Sequence, residues 1–426
     1  MSNPSISSSF PNRWVIAIAA FFVQLSLGSV YAWSVFLPHV IDMYHVAKLP
    51  ANATFSITLA ALGITAGFGG WFQNRYGPRA IATTGGILYG LGLILAGLTT
   101  NLGTPPNLIV LYLTYGILGG IGIGLGYIVP LAMLIKWFPD RRGFITGLAV
   151  AGFGLGALFT AQISSPLVAP GSIGLGSALL YLGIAYMLII VIAAQFFRRA
   201  PEGYAPAGWT PSVALQSIRA TRDFTLAETL RTPSWYLLWL LLALNVTAGA
   251  ALISVAAPLA HTFTGVTLTT AAVLVSTISI FNGLGRLFWG WISDFIGRPF
   301  TFLSLFIIQL IMFALLPSIG SFGLFLVPAA LIALCYGGGF GTMPAFAADF
   351  FGPKNSGTIY GAMLTAWSAG GILGPILIAA FGTTAHPDYV TPLYIIAAIM
   401  LVSCPFPLIA RVVARQRGEV ASTTAA

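Results

Sequence analysis

The sequence predicts an all-α membrane protein, with twelve transmembrane helices in two six-helix halves. Three observations carry this. Of the 426 residues, 58% are hydrophobic and 6% charged, against about 25% charged in a soluble domain. The chain divides into twelve apolar runs, bounded by charge, Pro or Gly, that are long enough to cross a hydrocarbon core about 30 Å thick. Motifs of the first six runs recur in the last six.

The runs cover residues 14–38, 53–73, 79–99, 107–137, 143–168, 175–197, 234–260, 267–293, 300–317, 322–350, 357–381 and 391–411. The opening MSNPSISSSFPNRW lacks a signal peptide's basic start, and the apolar run after it is too long for an h-region, so the first helix is expected to stay in the mature protein. Between the sixth and seventh runs lies RRAPEGYAPAGWTPSVALQSIRATRDFTLAETLRTP, the one long hydrophilic stretch. The expected organisation is a six-helix half over 1–197, a cytoplasmic linker over 198–233, a second half over 234–412 and a tail over 413–426. Pro130, Gly143 and Gly147 recur as Pro344, Gly357 and Gly361 at an offset of 214, and GWFQNRYGPR recurs as GWISDFIGRP at 220. Repeats of six helices keep corresponding helices parallel and place a substrate site between the halves.

Charge sets the orientation. With the N-terminus inside, the cytoplasmic segments hold Arg13, Arg75, Arg79, Lys136, Arg141, Arg142, Arg198, Arg199, Arg219, Arg222, Arg231, Arg298, Lys354, Arg411, Arg415 and Arg417, out of 18 Lys and Arg. Lys48 falls outside and Arg286 within the membrane, so both termini are expected in the cytoplasm of a cell-membrane protein. The net charge of +9 therefore reports topology, and no basic stripe interleaved with aromatics suggests nucleic acid. His39, His45, His261 and His386 fall on the outer side and read as solvated loop residues. Cys335 and Cys404 lie in apolar segments, which supports neither a disulfide framework nor a metal centre, and nothing in the chain calls for a cofactor.

Arg286 is the organising residue. It stands within LTTAAVLVSTISIFNGLGRLFWGWISD, roughly 12 Å from the Asp294 end at 1.5 Å per residue. A cation there costs about 2.5 to 3.5 kcal/mol on insertion scales, and snorkelling from mid-depth is difficult. Either it faces a polar cavity or it is tied to helix-end carbonyls or a buried acid. Asn282, four residues earlier, shares its helical face. Counting rise from each cytoplasmic end puts Gln24, Tyr127, Asn245 and Trp367 about 15 Å up, at the depth of Arg286, with Tyr31 and Tyr336 somewhat farther out. Isolated Gln and Asn in spanning helices commonly serve as interhelical glue, whereas Tyr and Trp at mid-depth want a buried partner or a wet cavity. The glycine-rich stretches GILGGIGIGLG, AGFGLG and AGGILG fit close helix packing and lack the strand–helix setting of a phosphate-binding loop.

G-x-x-x-D-x-x-G-R between the second and third helices of a half resembles the loop signature of the major facilitator superfamily. The C-terminal copy keeps Gly290, Asp294, Gly297 and Arg298; the N-terminal copy, with Arg75 and Arg79, has Asn74 in the acidic place, which implies a weaker charge latch in gating. NRW, Tyr31-x-Trp33, Tyr127 ahead of WFPDRRG, FNGLGRLFWGWISD and DFFG narrow the resemblance to the oxalate/formate antiporter family and its monocarboxylate-porter relatives. That resemblance implies a major facilitator fold, a carboxylate bound by Arg286, and cavity aromatics Tyr31, Tyr127 and Tyr336. Trp367 stands where the oxalate carriers have a lysine, and Asn282 stands where mammalian-type monocarboxylate carriers have an acid. The expected function is a secondary transporter of a lactate-, pyruvate- or formate-type monocarboxylate, alone or with protons, acting as a monomer by alternating access. Oxalate/formate exchange is the alternative, and an anion channel, which would need a ring of cations, the alternative of another class. An enzyme would need an acid–base, nucleophile or metal cluster at one depth, and these helices carry none in sequence.

Overall fold

The computed structural model describes residues 12–101, 107–138, 140, 142–201, 204, 206, 222–352, 355–382 and 388–418. Of the residues used above, Arg141, Arg219, Lys354 and His386 lie outside these, as does half of the 198–233 stretch. Among the described residues twelve helices are long and apolar enough to cross a membrane. They are α1 (Arg13–Tyr44), α2 (Lys48–Tyr76), α3 (Pro78–Asn101), α4 (Leu108–Trp137), α5 (Arg142–Val168) and α6 (Gly174–Ala194), then α7 (Pro233–Thr264), α8 (Leu268–Ile296), α9 (Arg298–Ser318), α10 (Phe322–Phe351), α11 (Ser356–Ala379) and α12 (Val390–Gln416).

Local chemistry places the ends. Thr232 caps α7 ahead of Pro233, and the Thr267 hydroxyl accepts from the Thr270 amide at the start of α8. Gly77 and Gly297, at φ 88° and 84°, make the tight turns α2–α3 and α8–α9, a conformation open to glycine. Pro38, read from sequence as the limit of the first run, lies inside α1: the chain passes through a 3₁₀ turn at Gly28–Ala32 and resumes as Trp33–Tyr44. Spanning helices tolerate proline where neighbours satisfy the released carbonyl. α7 kinks at Val255, ahead of Pro258, and α11 is interrupted at Leu364. Of the linker stretch, Leu226–Thr229 forms one turn closed by a Thr225/Glu228 capping box, and the Phe224 amide donates to Phe351 O at 2.9 Å, tying this segment to the end of α10.

Helices α5 with α8, and α2 with α11, join the first six helices to the last six. The side-chain bonds across this seam gather toward the end remote from the termini. Asn52 Nδ2 donates to Ser254 Oγ and Pro375 O, each at 3.2 Å, and Gln162 Nε2 donates to Ser276 Oγ at 2.7 Å. Lys48, read from sequence as an outer-loop cation, is the first residue of α2 and 5% exposed. Its ammonium lies 4.3 Å from the Tyr389 ring centroid and donates to Phe381 O at 3.3 Å. Lys48→Gln is expected to loosen this closure. In a background lacking Cys335 and Cys404, a single cysteine at the buried Ala257 should then label faster from that side. Unchanged labelling would show that Lys48 is no latch.

Candidate functional site

The position of Arg286 is set by backbone contact. A Cβ on Gly337 would stand 2.1 Å from Asn282 O, and one on Gly341 2.2 Å from Arg286 O, so the carbonyls of α8 rest directly on α10. Gly341→Ala is expected to push Arg286 away from its neighbours, costing about 1–3 kcal/mol as overpacking does. Thermal unfolding of the purified variant reads this; an unchanged midpoint would mean that the helices separate easily here.

Arg286 is 2% exposed. Its Nε donates to Asn282 Oδ1 at 3.4 Å, while Nη1 and Nη2 meet no described protein acceptor at full hydrogen-bonding geometry, the Tyr127 hydroxyl standing within electrostatic reach. Among the described residues no buried acid and no helix-end carbonyl ties it down. Its Cζ lies 5.0 Å from the Phe340 ring centroid and 5.6 Å from that of Phe153, within cation–π range. Trp367, fully buried, completes a box: its ring is 4.6 Å from Phe340, 5.0 Å from Tyr127 and 5.4 Å from Phe153. Above it the hydroxyls of Tyr31 on α1 and Tyr336 on α10 meet at 2.6 Å, a bond across the seam. Asn282 Nδ2, Tyr127 Oη and Trp367 Nε1 are also buried without a partner at bonding geometry. Apolar walls thus enclose a guanidinium fork and three neutral donors. This arrangement can take a planar anion through two parallel N–H bonds and seat an apolar or hydroxyl-bearing substituent against the indole.

Tyr31, Tyr127, Asn282, Arg286, Tyr336 and Trp367 therefore converge. Gln24 and Asn245 do not join them. Gln24 Nε2 donates to Tyr127 O at 3.0 Å, Asn245 Nδ2 donates to Tyr336 O at 3.1 Å, and Gln309 Nε2 donates to Asn245 Oδ1 at 3.0 Å. Both amides fix the helices that carry the box tyrosines. Phe153 and Phe340 escaped the sequence reading because a Phe in an apolar run carries no signal of its own. Tyr360 also neighbours Tyr127 and Arg286.

The loop motif lies at the terminus-bearing end. Arg298 Nη2 meets Asp294 Oδ1 at 2.6 Å and its Nε meets Asp349 Oδ2 at 3.3 Å, with Nη1 on Ser293 Oγ. A Cβ on Gly290 would stand 3.5 Å from Gly341 O, so this glycine leaves room for a small side chain. In the other copy Arg75 and Arg79 are exposed, Arg75 lying against the rings of Trp71 and Tyr76.

Among the described residues, twelve helices fit to span a membrane, a seam between two sets of six and a buried polar cluster at that seam make up the architecture of a multi-pass membrane protein. The chain belongs to the Major Facilitator Superfamily, whose profile matches residues 16–375 and 238–425. It is 32% identical to the uncharacterized MFS-type transporter YhjX of Escherichia coli K12, over 84% of this chain and 86% of that one. It is 30% identical to the oxalate:formate antiporter of Oxalobacter formigenes, over 90% of each chain. With the apicoplast pyruvate carrier 1 of Toxoplasma gondii it shares 25% identity, over 82% of this chain and 80% of the carrier.

Proposed function

We propose that this chain carries a small monocarboxylate of the lactate, pyruvate or formate type across the cell membrane, by rocking of its two halves around the central Arg286 site, with 198–233 as the cytoplasmic linker and both termini cytoplasmic. The observation that supports this reading is the Arg286 fork, buried, with no described acceptor at full geometry on either terminal nitrogen, and walled by Phe153, Phe340 and Trp367. A carboxylate matches the fork and an alkyl or keto substituent matches the walls. The pyruvate carrier among the relatives agrees with it. Counterflow in proteoliposomes tests it: vesicles loaded with lactate and challenged with labelled monocarboxylates should exchange them at fixed pH, and a failure of every monocarboxylate would reject the reading. The identity to the oxalate:formate antiporter favours oxalate/formate exchange as the second reading, which labelled oxalate added to the same assay separates.

No carboxylate inside the bundle serves as the proton carrier in this scheme. Among the described residues Asp42, Asp140, Asp223, Glu228, Asp294, Asp349 and Asp388 all stand at helix ends or in connections. Protons, where used, travel with the substrate. Each single acid-to-amide change is therefore expected to leave any pH-gradient dependence of uptake intact; one that abolishes the dependence while preserving exchange would identify a carrier this scheme excludes.

A further inference from the structure

A groove of roughly 1000 Å³ opens at the terminus-bearing end, between the α2–α3 turn and the end of α6. Arg75, Arg79, Arg198 and Arg199 line it together with Thr83 and Thr84, and among the described residues no Asp or Glu contributes to the wall. Arg75, Arg79 and Arg198 set like charges around one hollow, and an anion among them relieves their repulsion. The C-terminal copy of the loop answers its arginine internally, through Asp294 and Asp349 on Arg298. The N-terminal copy lacks this answer in sequence: Asn74 stands at the place of Asp294, and at the repeat offset Ile135 stands at that of Asp349.

The arginines are also positioned. Arg198 Nη1 donates to Gln195 O at 2.7 Å and to Phe197 O at 2.9 Å, holding it at the end of α6. Arg199 Nη2 donates to Gln73 O at 3.4 Å, which brings it across to the end of α2. The N-terminus of the 24-residue α3 opens into the same groove through Pro78, Arg79 and Ala80, adding its amides and the positive end of its dipole.

Depth identifies the source of the anion. Beside the groove Trp71, Tyr76 and Phe196 are 56%, 56% and 45% exposed on the outer surface of the bundle. Exposed Trp and Tyr at the end of spanning helices mark the headgroup level of a bilayer, where acyl chains give way to phosphates. The geometry points to a binding site for the phosphate of an anionic phospholipid, drawn from the leaflet on the side of the termini, with Arg75 and Arg79 as the recognition pair and Trp71 and Phe196 against the chains. This site is separate from the Arg286 box and independent of what that box carries.

The test uses the full-length protein in neutral detergent, titrated with phosphatidylglycerol or with phosphatidylcholine of the same chains, lipid retention being read by native mass spectrometry and stability by thermal unfolding. Phosphatidylglycerol is expected to be retained and to raise the midpoint, and phosphatidylcholine not. The Arg75→Gln/Arg79→Gln double variant is expected to bind phosphatidylglycerol on the order of 25-fold more weakly. An Arg411→Gln/Arg415→Gln control, removing two cations of the same end outside the groove, should bind as the wild type does. If the Gln pair does not fold, Arg75→Lys/Arg79→Lys is measured instead, and a several-fold loss is expected because an ammonium offers no fork. Equal losses in groove and control variants, or none in the groove variants, overturn the assignment. So does inorganic phosphate that displaces the lipid at equal concentration, since the site would then serve a free anion.

Discussion

Arg286→Gln is expected to abolish uptake while leaving insertion and thermal stability near those of the wild type. The side chain is 2% exposed and, among the described residues, meets full hydrogen-bonding geometry through Nε to Asn282, with the Tyr127 hydroxyl nearby, so the amide loses modest polar contacts and relieves a buried charge. The substrate fares differently. A carboxylate desolvated between Phe153, Phe340 and Trp367 without a cation is an uncompensated buried charge, costing about 3–5 kcal/mol, and at about 1.4 kcal/mol per tenfold that is two orders of magnitude or more. Arg286→Lys is expected to transport poorly too, because an ammonium cannot hold Asn282 through one nitrogen and a carboxylate through two others in one plane. Uptake of labelled lactate into proteoliposomes of matched protein content checks both. Wild-type-like rates in the Gln variant would remove Arg286 from the substrate site.

Much of this arrangement was legible in the sequence because the membrane imposes simple rules. Arg286 stood out since a charge at mid-depth is costly, and counting rise from helix ends brought Tyr127 and Trp367 to its level before any packing was known. Phe153 and Phe340 were not legible: among 30 Phe in an apolar chain, nothing but tertiary contact shows which two face a guanidinium. Depth alone could not sort the amides either. Gln24 and Asn245 share the depth of Arg286 yet spend their donors on Tyr127 O and Tyr336 O, a matter of azimuth around each helix that a linear count ignores. Lys48 shows the same limit at the surface. Charge statistics assign it a side of the membrane, but only the packed fold shows its stem buried and its ammonium over Tyr389.

The largest difference between substrates is expected from charge: the protein should prefer monocarboxylates to oxalate by about two orders of magnitude. Two carboxylates in a dry box need two cations, and a deficit of about 3 kcal/mol for the second already gives that factor. Among the described residues the other Lys and Arg of the spanning helices stand at or near helix ends, and Arg286 is the cation of the interior. Trp367 occupies the place that the resemblance gives to a lysine in oxalate carriers, and it is 5.0 Å from Tyr127 and 4.6 Å from Phe340, within the box that holds the guanidinium. Trp367→Lys is accordingly expected to improve oxalate binding and to weaken lactate transport. Removing a buried indole also costs packing, about 3–5 kcal/mol in truncations to alanine, so the informative quantity is the ratio of oxalate to lactate affinity within each protein, read by competition against one labelled substrate. That ratio should rise in the variant even if both affinities fall. If the wild-type protein binds oxalate as tightly as lactate, a single cation suffices for a dianion here, and oxalate/formate exchange becomes the better reading of the site.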